Sequence, residues 1–245
     1  MTAEKYGDSR NNLIHHPRIA RFLGGGIVEK IGIQILSFFQ LQIMGGHKIP
    51  NDVRSIRRVR WKRSSLLTGD ENFNILSLAR GFAKKEGAFI EIGTFQGCSA
   101  RLICQEKGDK KLYVCDTYEG LPKDHANDRG VHRVHQYTCS LESVREFLKD
   151  FPNVEFVKGF FPDSAQGVIP ENEKFAFAHI DVDLYEGTLA GIRYLYPRMI
   201  PGGIIVSHDF SILAGVRKAI YEFIEETPEA VMVELPTTQC MIIKP

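Results

Sequence analysis

The stretch F-I-E-I-G-T-F-Q-G, residues 89–97, decides how this chain is read. A short apolar run, Phe89-Ile90, leads into an acid, Glu91, and two glycines follow at Gly93 and Gly97. The run reads as the end of a buried strand, with Glu91 where that strand leaves its sheet. Glycine has no Cβ, so both positions permit a sharp turn and a close approach of ligand to backbone. Ser99-Ala-Arg-Leu-Ile-Cys then has helical spacing. A strand, a glycine turn and a helix at the carboxyl edge of a parallel sheet make a ligand crevice.

The glycine spacing narrows the ligand. A dinucleotide loop, G-x-G-x-x-G, sets its middle glycine against a pyrophosphate, and here that position is Phe95. An acid ahead of the first glycine suits a cationic nucleoside without phosphates, and S-adenosylmethionine has that chemistry. Alone, the loop fits an ordinary strand-to-helix turn equally well. A second acid shifts the balance. K-L-Y-V-C-D, residues 111–116, is another buried strand, and its Asp116 follows Gly93 at close to the ~20-residue offset of a ribose-binding acid. The expected cofactor contacts are Glu91, Gly93, Thr94, Gly97, Ser99, Asp116, Thr117, Gly159, Asp163 and Asp181. Asp163 would accept from an adenine amino group, with Phe160 or Phe161 against the ring and the other in the core. His179 reads either as facing the methionine end of the cofactor or as a satisfied buried histidine.

Beyond residue 87 the chain alternates. Strands are expected at 88–93, 111–116, 154–158, 175–181, 203–207, 231–235 and 239–243. Helices are expected near 72–85, 98–106, 141–150, 187–197 and 215–226. This alternation predicts an α/β fold with a mostly parallel seven-stranded sheet and helices on both faces. Only Pro236-Thr-Thr and its neighbours separate the last two strands, too short for a helical crossover, so that pair is antiparallel. This is the architecture of class I methyltransferases. Residues 71–245 form that domain, and residues 1–70 a helical extension and lid.

Two further clusters carry chemistry. In H-I-D-V-D-L-Y-E-G-T, residues 179–188, Asp181 and Asp183 lie at a strand's carboxyl end and alternate onto one side. Two close carboxylates repel, and one gains a raised pKa unless a cation intervenes. On the next strand, G-I-I-V-S-H-D-F ends in His208 and Asp209. An oxygen-rich set with one nitrogen suits Mg²⁺ or another divalent ion, with Asp181, His208 and Asp209 as metal ligands. A single such Asp would more often be a cap or salt-bridge partner.

Composition bounds the remainder. The 245 residues carry a formal net charge of +1, which gives no reason to expect a nucleic-acid or bulk membrane partner. Five cysteines without a C-x-x-C pair suggest a reduced, cytoplasmic chain, and the polar N-terminus does not read as a signal peptide. Ile31–Met44 is apolar but, at fourteen residues, short of the ~20 a spanning helix needs. Ile31, Ile35, Phe38 and Phe39 share a helical face, expected to pack on the domain or on a second subunit of a homo-oligomer. Interfacial membrane binding is less favoured, because glutamines rather than lysines fill the polar positions. Arg54, Arg57, Arg58, Arg60, Lys62 and Arg63 crowd around Trp61, as a solvated face or as a lid over the acceptor. The polar insert 125–135 is expected as a mobile loop near the acceptor, with His125, His132 and His135 not assigned to a metal.

The runs E-I-G-T-F-Q-G-C-S, D-T-Y-E-G-L-P, H-I-D-V-D-L-Y-E-G-T and P-G-G-I-I-V-S-H-D-F together resemble the macrocin O-methyltransferase family, over roughly residues 64–226. The resemblance implies S-adenosylmethionine, Mg²⁺ and methylation of sugar hydroxyls in natural product biosynthesis. It implies Asp181 as a metal ligand and Asp183 as the general base. Where the family has two adjacent acids and a tyrosine, this chain has His208, Asp209 and Phe210, so His208 is a ligand or a second catalytic base. Two alternatives stand beside this one: another metal-dependent, hydroxylase-like enzyme, and a non-catalytic cofactor binder.

Overall fold

The computed structural model describes residues 26–123, 126–128 and 131–245. The N-terminal decapeptide, the first 25 residues of the expected extension and His125 lie outside the described residues. Seven strands form one sheet: β1 (Ala88–Ile92), β2 (Leu112–Asp116), β3 (Val154–Lys158), β4 (Phe175–Ile180), β5 (Met199–Ser207), β6 (Val231–Glu234) and β7 (Cys240–Ile243). Their order is β3-β2-β1-β4-β5-β7-β6. The first five are parallel, and β7 runs antiparallel to both β5 and β6. The chain builds outward from β1 in one direction, then crosses to β4 and builds in the other. The reversal leaves a crevice at the carboxyl ends of β1 and β4.

Helices cover both faces. These are α1 (Ile27–Gly45), α2 (Pro50–Lys62), α3 (Gly69–Phe82), α4 (Cys98–Glu106), α5 (Leu141–Leu148), α6 (Tyr185–Leu195) and α7 (Ala214–Glu226). Strand alternation sorts the core. Phe89 packs with α1 to α5, whereas Ile90 and Ile92 pack with α6 and α7. Because both faces are covered, the central strands are buried throughout, and that is why they read as apolar runs rather than alternating ones.

The elements shift at their ends for local reasons. The helix expected from residue 72 begins at Gly69, because Thr68 and Glu71 form a reciprocal capping box. The helix expected from 187 begins at Tyr185, whose backbone N–H donates to Asp128 Oδ1 at 2.8 Å. Asp128 is buried, so this part of the polar insert is a cap as well as a loop.

The N-terminal helices join the same core through Leu41, Met44, Val53, Ile56 and Val59. One guanidinium ties three of them together. Arg80 of α3 makes a bidentate pair with Asp52 of α2 at 2.7 and 2.9 Å, and donates to Glu106 of α4 at 2.7 and 2.8 Å. Helix α1 departs from expectation twice. It has 19 residues, so its length and apolar composition alone meet the requirement for crossing a membrane. Its buried stripe is Ser37, Leu41 and Met44, whereas Ile31, Ile35, Phe38 and Phe39 are exposed rather than packed on the domain.

Candidate active site

The loop after β1 is fixed by its own polar groups. Asp116 ends β2, and its Oδ2 accepts from the backbone N–H groups of Thr94 (2.8 Å) and Phe95 (3.0 Å), while Oδ1 accepts from Tyr118 N–H (2.7 Å). Phe95 and Tyr118 both have positive φ, conformations a non-glycine residue holds only when its surroundings impose them. Burial raises the Asp116 pKa, against the pull of these three amides.

Glu91 and Gly97 take different places from those expected. Glu91 is fully buried beneath the loop, where it accepts from Thr94 Oγ1 at 2.7 Å and pairs with His179 Nδ1 at 2.9 Å. Glu91 and His179 are register partners on β1 and β4, so their side chains emerge on the same side. Neither Glu91 nor Gly97 lines the cavity. Gly97 begins α4 in a left-handed conformation and lies against Val144. Gly93, at φ +82°, answers to packing as well as to any ligand: a Cβ there would fall 1.8 Å from the Asp181 carbonyl oxygen. The β1 exit is thus pressed against the β4 exit.

The cavity, of about 840 Å³, lies over these strand ends. Of the expected cofactor set, Gly93, Thr94, Ser99, Asp116, Thr117, Gly159, Asp163 and Asp181 line it. Phe160 and Phe161 both lie on its wall, and Phe161 also packs edge-on against Tyr194 at 4.8 Å. The cover is formed by the inner side of α1 (Val28, Glu29, Gly32, Ile33, Leu36) and by residues 64–68. The basic run on α2 does not line it. Arg60 and Arg63 turn inward to structural roles, Arg63 donating to Gln96 O and Ser143 O at 3.3 and 2.7 Å.

The acidic cluster assembles at the ends of β4 and β5. His208 Nδ1 lies 3.2 Å from Asp181 Oδ1 and 2.9 Å from Asp209 Oδ1. The ligand atoms of Asp181, His208 and Asp209 all fall within 4.8 Å of one another. The buried Nδ1 makes no well-formed hydrogen bond. Two carboxylates converging on an unsatisfied ring nitrogen fit a divalent cation.

On its other side His208 meets Glu71, at 3.3 Å from Nε2. Glu71 is the capping-box residue of α3, held by Thr68 through Oε2 and by Thr238 through Oε1. Burial opposes the Glu71 charge, but His208 and these donors hold its carboxyl far below the usual range. With Nε2–H directed at Glu71, Nδ1 would be free to direct its lone pair at a cation held between Asp181 and Asp209, as in a carboxylate–histidine–metal arrangement. Sequence reasoning passed over Glu71. Its signal was T-G-D-E, residues 68–71, the Thr-x-x-Glu spacing of a capping box just ahead of the expected helix.

Asp183 stands beside this set with φ +60°, as does Asp209. Burial and then the charges of Asp209 and Asp181 push the Asp183 carboxyl well up, and it shares a hydrogen bond with Asp209. Burial also works against the His208 imidazolium, but Asp209, Asp181 and Glu71 outweigh it and raise its pKa. Asp209 is held low, chiefly by His208. Without metal, these directions favour the proton on Asp183 and the charge on His208. Tyr137, which sequence reasoning also passed over, lines the cavity near Asp183 and packs on Phe95 at 5.7 Å.

Comparison with known proteins bears on family and fold. The model of the family described as macrocin O-methyltransferase (TylF) matches residues 77–234. The chain is 30% identical over 154 residues to the 8-demethyl-8-(2,3-dimethoxy-alpha-L-rhamnosyl)-tetracenomycin-C 4'-O-methyltransferase of Streptomyces olivaceus, a match covering 56% of this chain and 58% of that protein. It is 29% identical over 156 residues to the mycinamicin III 3''-O-methyltransferase of Micromonospora griseorubida, covering 56% and 60%. The chain thus spans about three fifths of the length of these relatives. Among solved structures, the O-methyltransferase NovP superposes with a TM-score of 0.66 at 20% identity, over 74% of this chain and 81% of that one. An O-methyltransferase from Bacillus cereus in complex with SAH gives 0.61 at 16% identity, over 87% and 100%. On the family match over most of its catalytic sheet, the chain belongs to the macrocin O-methyltransferase family.

Proposed function

We propose that this chain moves a methyl group from S-adenosylmethionine to a sugar hydroxyl on a glycosylated small molecule, with divalent-metal assistance and Asp183 as general base. One observation carries the reading. Asp181, Asp183, His208 and Asp209 gather at two adjacent strand ends, across one cavity from the Asp116-braced loop. The sugar O-methyltransferases among its relatives support the acceptor class. The family match favours this reading over a hydroxylase-like enzyme or a non-catalytic binder.

The cavity residues suit the cofactor. Asp116 spends three lone pairs on amides and keeps capacity for a ribose hydroxyl. Asp163 and Phe160 offer an acceptor and a ring face beyond it. Asp181, His208 and Asp209 would hold the metal. A divalent ion held there would lower the pKa of a coordinated hydroxyl and favour ionised carboxylates around it.

The chain's own residues position and deprotonate. In transfer, the acceptor oxygen bonds to the methyl carbon as the carbon–sulfur bond breaks, and sulfur leaves as a neutral thioether. Asp183 receives the hydroxyl proton, which requires it ionised at the outset. The cover of α1 and residues 64–68 excludes water and aligns the reactants, a proximity effect.

Asp183→Asn tests this. The variant keeps the side-chain shape and removes the base. Turnover on deoxy-sugar glycosides should fall on the order of 10²–10⁴-fold, while S-adenosylmethionine binding by calorimetry changes little. Undiminished turnover would remove Asp183 from the reaction.

A further inference from the structure

We propose that α1 and α2 form a docking surface for an anionic lipid bilayer, on which the protein lies with α1 parallel to the membrane plane. The first observation is an apolar ridge that no described residue covers. Ile27, Ile31, Ile35, Phe39 and Ile43 recur every four residues along α1, with Phe38 beside them, and each is between 54% and 76% exposed. Rows spaced by four residues run as a continuous ridge along a helix. This one extends for the helix's ~28 Å. Monomeric surfaces seldom leave so continuous an apolar strip uncovered.

The second observation is charge. Residues 26–63 hold eight Lys and Arg against two acids, a net of +6, in a chain whose overall balance is +1. From residue 64 onward acids outnumber bases, 26 to 19. The positive charge is therefore concentrated on α2, which carries five bases against one acid beside the charge-neutral helix that bears the ridge. Arg54, Arg58 and Lys62 of α2 are exposed and have no acidic partner among the described residues. Trp61, the chain's single tryptophan, is 91% exposed among them. Apolar side chains flanked by arginines and an exposed tryptophan match the depth profile of an interfacial helix: acyl boundary, headgroups, then anionic phosphates.

The arrangement decides between occupants. Arg57 donates to Leu41 O and Gln42 of α1, and Arg60 to Gln34, so the basic helix is fastened alongside the apolar one. Gln34 and Gln42 of α1 are thus partners for arginines, and the cations that α1 lacks come from its neighbour. A two-fold dimer through this face would set the same basic patch against itself. A spanning orientation is excluded by the stripe Ser37, Leu41 and Met44, buried against the domain. Since the inner side of α1 lines the cavity, docking would bring that cavity to the bilayer surface.

The test uses the full chain and vesicles of phosphatidylcholine with or without 30% phosphatidylglycerol. Trp61 reports binding by a blue shift, with flotation as the independent measure. Binding is expected on the anionic vesicles, weakening as salt rises, and little on neutral ones. Ile35→Glu with Phe39→Glu, and separately Arg54→Glu with Arg58→Glu, should each lower the partition coefficient at least tenfold. All four positions are exposed, and unchanged melting temperatures would confirm folding. No shift and no flotation at low salt overturns the proposal. So does a stable dimer that Phe39→Glu dissociates while vesicles are never bound, an outcome that assigns the ridge to a second copy. These results do not depend on methyl transfer.

Discussion

Gly93→Ala separates packing from conformation at the point where the loop after β1 meets the exit of β4. Gly93 has φ +82°, and an added Cβ would lie 1.8 Å from the Asp181 carbonyl oxygen. Real Cβ contacts essentially never fall below 3.0 Å, so β1 and β4 must part by at least about 1.2 Å at their exits. Left-handed φ costs an alanine about 1–2 kcal/mol. Overpacking backbone against backbone adds about 1–3 kcal/mol. A total of about 2–5 kcal/mol corresponds to a melting temperature lowered by about 4–20 °C in a domain of this size. Gly108 supplies the control, because it has φ +62° and nothing within 4 Å of its would-be Cβ. Gly108→Ala should show only the conformational part, about 2–8 °C. The displacement also moves Asp181, so Mg²⁺ affinity measured by calorimetry should fall in Gly93→Ala and not in Gly108→Ala. If the two variants melt alike and bind the ion alike, the contact between the strand exits does not set the site, and the reasoning fails.

Glu71→Gln should weaken divalent-ion binding by about 10–100-fold, because the amide no longer fixes the His208 tautomer; unchanged affinity would reduce Glu71 to a helix cap. The same variant has a pH signature in chelator. Glu71, held below its ordinary 4.5, contributes stability that is present above that pH and lost as pH falls. His208, held above 6.5, contributes stability that is complete below 6.5 and lost as pH rises through its folded value. Metal-free melting temperature should therefore peak between about pH 4.5 and 6.5, and Glu71→Gln should flatten both slopes. Asp116→Asn turns an amide NH₂ toward at least one loop N–H; S-adenosylmethionine binding should weaken roughly 5–150-fold, and full affinity would show that the loop holds its shape without the carboxylate.

Much of the architecture was legible because burial on both sheet faces produces apolar runs, and the turns between them are short. Residues 98–106 and 154–158 fall where spacing alone sets them. The strand-end acids were legible for the same reason: once the strands are found, their last residues point at the crevice. Glu91 escaped this logic. Its position at a strand end suggested a ligand contact, but register with His179 and the hydroxyl of Thr94 satisfy it inside the protein. Glu71 was hidden because a capping-box glutamate looks complete within its own helix; the encounter with His208 joins residues 137 positions apart.

By itself the sequence determined the alternation of strands and helices, a loop with Phe95 where a dinucleotide loop has its middle glycine, and the acids and histidine at the strand ends. These depend on periodicity and on residue type, which are local properties of a chain. Tertiary structure alone decided that Gly93 answers to Asp181, that Glu71 backs His208, and that the cover over the cavity is α1 rather than the basic run. It also set the cations of α2 beside the apolar ridge of α1. Each of these is a pairing between segments distant in sequence, fixed by how the faces of the sheet are covered, and no spacing along the chain encodes it.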